Sequence, residues 1–190
     1  QGYPTKICDP TDLDYFKGSL VSGDFEIDVF FKRVIIHEFL DRFDEKHPVY
    51  RAISDGNICM ANSFRSKIPH KKAGLAILTD ERYSELFSDQ QREAVSRHVP
   101  WTRNMRKGNT TYRGAKVDLI DFVRTQRDRF VLKPNDDYGG KGISFGWESS
   151  VSEWDDAIVS ALAAQYVVQE RVPVEKVSIP IYLNGEARME

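Results

Sequence analysis

The spacing of apolar and polar positions changes several times along the chain, and each change marks a structural element. In residues 26–34, EIDVFFKRV, the residues Ile27, Val29 and Phe31 fall on one side and Glu26, Asp28 and Lys32 towards the other. That is the two-residue period of a half-buried strand. Ser22-Gly23-Asp24 separates it from an earlier short run, which predicts a hairpin, and Asp9-Pro10 carries turn chemistry. IIHEFLDRF reads as a helix with Ile35, Phe39 and Phe43 inward, stopped at His47-Pro48. Two apolar runs follow around the turn signal Asp55-Gly56.

Beyond residue 65 the pattern becomes helical and basic. Arg65, Lys67, Lys71 and Lys72 precede the apolar helix of AGLAIL, so cationic groups gather where helix N-terminal amides point. Ser88 with Gln91 three residues on is a capping box, opening a helix that runs to about His98 and ends before Pro100. Residues 101–116 lack an apolar period, are basic and contain two glycines, which reads as a linker between domains 1–115 and 116–190. After it come a helix in VDLIDFVRTQRD, a strand over 130–133, a loop with Gly139, Gly140 and Gly142, and a strand over 143–146. A helix capped near Ser152, a strand over 166–171 and a hairpin turning at Asn184-Gly185 complete an α+β chain.

Charge narrows the function classes. The 27 basic and 29 acidic residues leave a net charge of −2, which supplies no general field for nucleic acid. No apolar run approaches the roughly 20 residues that a spanning helix needs, so a membrane is not an expected partner. Cys8 and Cys59 are far apart and lack metal-ligand spacing, which suits free buried thiols in a reducing cytoplasm. The chain opens on Gln1, not Met, and the expectation is a fragment or a processed form.

The chemistry concentrates in residues 130–174. The strand FVLK ends in Lys133-Pro134, and a polar loop with three glycines and Lys141 follows. Glycines let a backbone approach an anion and aim several N–H groups at it, while lysines neutralise phosphate charge. The spacing excludes the better-known alternatives. Lys141 is followed by Gly142, not Ser or Thr, so there is no P-loop; GGKG leads to a strand, so there is no dinucleotide fingerprint; HRD and DFG are absent. Taken alone, the loop also fits a plain hairpin turn. The later run YVVQERV offers apolar walls and backbone groups for a base, or is an ordinary strand running out to solvent.

KPNDDYGGKG followed by a helix and VVQERV resembles the nucleotide-binding half of an ATP-grasp ligase, in the circularly permuted group related to glutathionylspermidine synthetase. EIDVFFKRV, HKKAGLAIL and HVPWTR are similar to the part that precedes it in that group. The resemblance implies antiparallel and mixed sheets with helices and a nucleotide site between subdomains, residues 1–115 lying on the substrate side. By position it makes Lys72 and Lys133 the phosphate-contacting, catalytic lysines. Tyr138, Gly139, Gly140, Lys141 and Gly142 become the mobile phosphate cover, and Gln169, Glu170 and Val172 the adenine hinge. The family shows Asn before the first lysine, where this chain has Lys71.

The implied reaction joins a small-molecule carboxylate to an amine or peptide through an acyl phosphate, using ATP and Mg2+. Its metal ligands in the family follow a D...ExN pattern that is absent before Lys72, which implies a metal set ahead of Gln1. Asp136 and Asp137 are the local acids that could substitute, or they meet only solvent and nearby cations. The alternative function is a nucleotide-binding module without turnover, acting alone or as partner to another enzyme; a plain interaction domain is the third.

The remaining candidates each have an ordinary reading beside the functional one. Asp28 and Arg33 resemble positions near the family's substrate cleft, or form a surface ion pair. Arg103 and Arg106 suit a substrate carboxylate or phosphate, or are solvated. His37, His47, His70 and His98 do not cluster, and no GxSxG supports a hydrolase triad.

Overall fold

The computed structural model describes residues 2–174, 178–183 and 186–189. The chain folds as two compact units, Gln1–His70 and Lys71–Glu190. Both mix helices with small sheets, so the fold is α+β, and antiparallel pairing predominates. No helix among the described residues is long and apolar enough to cross a membrane.

In the first unit, Asp9 caps a 3-10 turn over Pro10–Asp12, as the Asp-Pro pair predicts. β1 (Asp14–Phe16), β2 (Ser19–Ser22) and β3 (Phe25–Ile27) then form an antiparallel meander, with Ser22 opposite Phe25 across the expected turn. The predicted strand over 26–34 breaks at Asp28. β4 (Val29–Phe31) leaves the meander and pairs in parallel with a later strand. That change of sheet inverts the expected faces: Val29 and Phe31 are exposed, and Phe30 packs towards the core with Ile27.

α1 (Ile36–Arg42) buries Ile36 and Phe39, one residue out of step with the expected Ile35. Pro48 does not stop this helix. It occupies the first turn of α2 (Pro48–Ser54), where a missing N–H costs nothing, and His47 caps it by accepting from the Val49 N–H. After Gly56 comes β5 (Cys59–Ala61), the parallel partner of β4. Cys59 is exposed and Cys8 half-buried, both free, so the expectation of buried thiols fails for Cys59. Phe39 is the hub of this core, with the rings of Phe43, His47, Tyr50 and Phe64 around it. The short helix α3 (Lys67–His70) closes the unit.

The second unit is built on a four-stranded antiparallel sheet. Its helix α4 (Ala73–Thr79) is followed by a 3-10 stretch over Glu81–Leu86 and by α5 (Asp89–His98), whose Ser88/Gln91 capping box is present as predicted. β6 (Thr102–Asn104) and the hairpin of β7 (Asn109–Tyr112) and β8 (Ala115–Asp118) occupy the stretch expected to be a linker. Thr102, Arg103 and Met105 are buried there. The division between units accordingly falls between His70 and Lys71, and residues 101–116 are an integral part of the second unit. Arg113 and Gly114 both have positive φ, as a two-residue hairpin turn requires.

α6 (Leu119–Thr125) leads to β9 (Phe130–Pro134); β10 (Ser144–Phe145), α7 (Val151–Ala163) and β11 (Tyr166–Glu170) follow. The cap of α7 is Ser150 with Glu153, two residues before the predicted Ser152. Strand order is β10-β9-β11-β6. Phe130, Leu132 and Val168 point to one face, into a core with Leu119 and Val123 of α6 and Trp154, Ile158 and Ala161 of α7. Alternation sends Val131, Lys133, Val167 and Gln169 to the other face, where α4 packs on β6 and β11. β12 (Pro180–Leu183) and β13 (Glu186–Met189) pair as the predicted tail hairpin, while Asn184 and Gly185 lie outside the described residues.

Candidate functional site

The α4 face of the sheet carries Lys133 and Gln169, with Lys72 at the start of α4. Lys133 stands near the end of β9, half-buried, and its Nζ donates to Gln169 Oε1 at 2.7 Å. Burial, and then the like charge of Lys72, hold the Lys133 ammonium below the ordinary lysine pKa. Gln169 is 7% exposed, and its Nε2 donates to Thr102 Oγ1 at 3.0 Å.

Lys72 is held by its backbone to the same strand end. Its N–H donates to Asn135 C=O at 3.0 Å, and the next N–H, of Ala73, donates to Asn135 Oδ1 at 2.8 Å. Asn135 is thus the cap that joins the start of α4 to the end of β9. The Lys72 Nζ donates to Asp137 C=O at 2.8 Å, at the root of the glycine loop. Lys71, the residue in the family's Asn position, reaches instead towards Asp136, at 3.9 Å.

Within the loop, Gly139, Gly140 and Gly142 all have φ between 67 and 78°. A Cβ on Gly139 or Gly140 would meet nothing, so those two are glycines for backbone conformation alone. Gly142 is also confined sterically, because a Cβ there would lie 2.8 Å from Pro134 Cγ and 2.9 Å from the Tyr166 hydroxyl. Lys141 lies 6.0 Å from the centroid of the Tyr138 ring, and both residues are exposed.

The hinge residues sit where β11 ends. Glu170 N–H donates to Trp101 C=O, and Arg171 N–H donates to Arg129 C=O on the opposite side of the strand. The Glu170 side chain is a structural group: it accepts from the Tyr112 hydroxyl and from Arg113 Nη2 at 3.0 Å, with Arg129 Nη2 at 3.5 Å. Beside it opens a cavity of about 590 Å³ with an apolar part formed by Phe87, Val95, Trp101 and Val172 and a charged part that includes Arg92, Arg113 and Glu170. Apolar walls with a few backbone groups suit a planar base.

The expected substrate residues are divided between the units: Asp28 and Arg33 belong to the first, Arg103 to β6 of the second. Asp28 and Arg33 are exposed in the first unit, where the Asp28 carbonyl accepts from the Cys59 N–H at 3.0 Å. Arg103 is only 4% exposed. Its guanidinium donates to Thr79 C=O, Thr102 C=O, Thr111 C=O and Thr110 Oγ1, and it stacks 4.7 Å over the Trp101 ring. Those bonds make Arg103 a tie between α4, β6 and β7, neither a solvated linker residue nor a free fork for a substrate.

Magnesium requires several oxygen ligands at once. Among the described residues, no group of three or more His, Cys, Asp or Glu side chains could hold a metal ion. The Asp136 carboxylate lies near Lys71, and Asp137 contributes its carbonyl to Lys72. Neither loop acid belongs to a ligand cluster of three or more among the described residues. Thr102 and Asn135 are the two residues that sequence reasoning missed. Asn135 carried a signal, an amide immediately after Lys133-Pro134 at a strand end, whereas Thr102 carried none.

No family model matches the chain, and no curated protein matches it.

Proposed function

We propose that the second unit binds ATP and is the nucleotide-binding portion of an ATP-dependent carboxylate-amine ligase of the ATP-grasp type. The observation that carries this reading is the pair of lysines. Lys133 and Lys72 come from different elements and adjoin a loop of three positive-φ glycines, and burial first, then the like charge of Lys72, lowers the Lys133 pKa. Two neighbouring ammonium groups are stabilised by a polyanion, and a glycine loop offers it backbone N–H groups. The cavity at Glu170 and Val172 supports a base-binding role for the end of β11.

In the proposed reaction a substrate carboxylate oxygen attacks the terminal phosphorus of ATP and ADP departs. An amine then attacks the acyl carbon, forming the amide and releasing phosphate. Lys133 and Lys72 offset the charge on the phosphates, residues 138–142 cover them, and the backbone of Glu170 and Val172 reads the adenine edge. Mg2+ bound to the nucleotide would supply further neutralisation of phosphate charge. The substrates are a small-molecule acid and an amine or peptide, met in the cytoplasm.

A second reading, a nucleotide-binding module without turnover, is favoured by the Asp136 carboxylate lying 3.9 Å from the Lys71 ammonium, where it offsets charge in place of a metal. Calorimetric titration with MgATP tests the binding step: Lys133→Ala should weaken binding at least tenfold, and Arg106→Ala, at an exposed position, should leave it unchanged. Equal effects would refute the assignment. Release of ADP that depends on both an acid and an amine separates ligase from module.

A further inference from the structure

Lys133 does not choose its own position. Its ammonium is fixed by an acceptor, Gln169 Oε1, and an amide side chain can point its oxygen in either of two directions. If the amide were turned over, NH2 would face the ammonium, two donors in opposition, and the lysine would lose its partner. Something must hold the amide the right way round.

The buried threonine on β6 does this. Thr102 is fully buried, and its hydroxyl proton is committed to Pro100 C=O at 2.9 Å. With its proton spent there, Oγ1 faces Gln169 as an acceptor only, and it takes the Nε2–H at 3.0 Å. The sequence of bonds is therefore directional: Lys133 Nζ donates to Gln169 Oε1, Gln169 Nε2 donates to Thr102 Oγ1, and Thr102 Oγ1 donates to Pro100 C=O. Three strands, β9, β11 and β6, are crossed by one polarised chain.

The far end of that chain is itself pinned. Thr102 N–H donates to Thr79 Oγ1 at 3.1 Å, and Arg103 Nη1 donates to Thr79 C=O at 3.0 Å, so the C-terminal end of α4 is held against β6. The N-terminal end of α4 is held to β9 by Asn135. One helix therefore shares its anchor residues with both lysines.

We infer that Thr102 is a positioning residue for Lys133: its hydroxyl selects the amide orientation of Gln169 and so sets where the lysine's charge is presented to an anion. The role in anion binding rests on the nucleotide reading above, whereas the orientation of the Lys133 ammonium does not.

The test uses the whole chain and two readouts. The first is the NMR signal of the Lys133 ammonium, assigned by its loss in Lys133→Met; the second is calorimetric titration with tripolyphosphate and with MgATP. Thr102→Val, which keeps the branched shape and loses the hydroxyl, should shift or broaden the Lys133 signal. It should also weaken tripolyphosphate binding about fivefold, the worth of one hydrogen bond. Thr102→Ser should retain both at wild-type values. If the valine variant does not fold, Thr102→Ala reports the same loss.

An unchanged Lys133 signal in a folded Thr102→Val or Thr102→Ala protein overturns the inference, as does an equal loss in the serine variant. If the signal follows the hydroxyl but neither wild type nor variants bind tripolyphosphate or MgATP, the positioning role of Thr102 stands and the nucleotide reading fails.

Discussion

At the scale of single residues, charge placement separates the proposed site from the framework. Lys133 has its pKa lowered first by burial and second by Lys72, so it loses its proton at a lower pH than an exposed lysine. MgATP affinity should consequently fall as pH rises through that lowered value, and Lys133→Arg, whose charge persists, should flatten the fall. Titration calorimetry across neutral to alkaline pH checks this; a wild-type profile that stays flat would remove Lys133 from the site.

Asp80 is the framework counterpart. Hydrogen bonds from Arg82, with Arg103 4.0 Å away, hold its carboxyl below the ordinary range. A carboxylate with a lowered folded pKa stabilises the fold above its unfolded value, and that stability is lost as pH falls through the folded one. Asp80→Asn should cost about 2 kcal/mol at neutral pH, because the buried Arg103 loses a counter-charge but keeps its carbonyl partners. Urea melts should show the gap from wild type closing in acid. A gap that widens would mean that Asp80 acts through something other than its charge.

At the scale of elements, local signals were legible and tertiary ones were not. The Ser88/Gln91 box, the turn at Gly23 and the glycine loop are each decided by residues within a few positions of one another. The stretch 101–116 was misread because its polar side chains are satisfied by distant partners: Arg103 is bonded to Thr79, and Thr102 to Gln169. A buried and fully bonded polar strand has the composition of a solvated linker. The faces of β4 were misread because alternation carries no information about a change of sheet at Asp28.

The lysines were legible as types, but Asn135, which joins their elements, shows its function only once α4 is folded against β9. The glycine loop gives a prediction at this scale. Gly142→Ala should cost about 2 kcal/mol, since positive φ is compounded by the approach to Pro134 and Tyr166. Gly139→Ala, in open space, should cost ~1 kcal/mol. Thermal melts that rank the two the other way would refute this account of the loop.

At the scale of the whole molecule, the division between His70 and Lys71 leaves the residues of the proposed nucleotide site in one unit. Lys72, Asn135, Lys133, residues 138–142, Gln169, Glu170 and Val172 all belong to the second unit, as do Thr102 and the core around Phe130, Leu132 and Trp154. The first unit has its own core around Phe39 and Leu20. Neither core borrows a buried side chain from the other. Residues 71–190, produced alone, should therefore fold cooperatively and bind MgATP within about threefold of the full chain, since each hydrogen bond described around the lysines is internal to them. Asp28 and Arg33 would be absent from that protein. Retained ATP binding with lost acid- and amine-dependent ADP release would then assign substrate handling to the first unit. A cooperative melt without MgATP binding would show that the nucleotide site requires residues of the first unit, contrary to the placement of both lysines in the second.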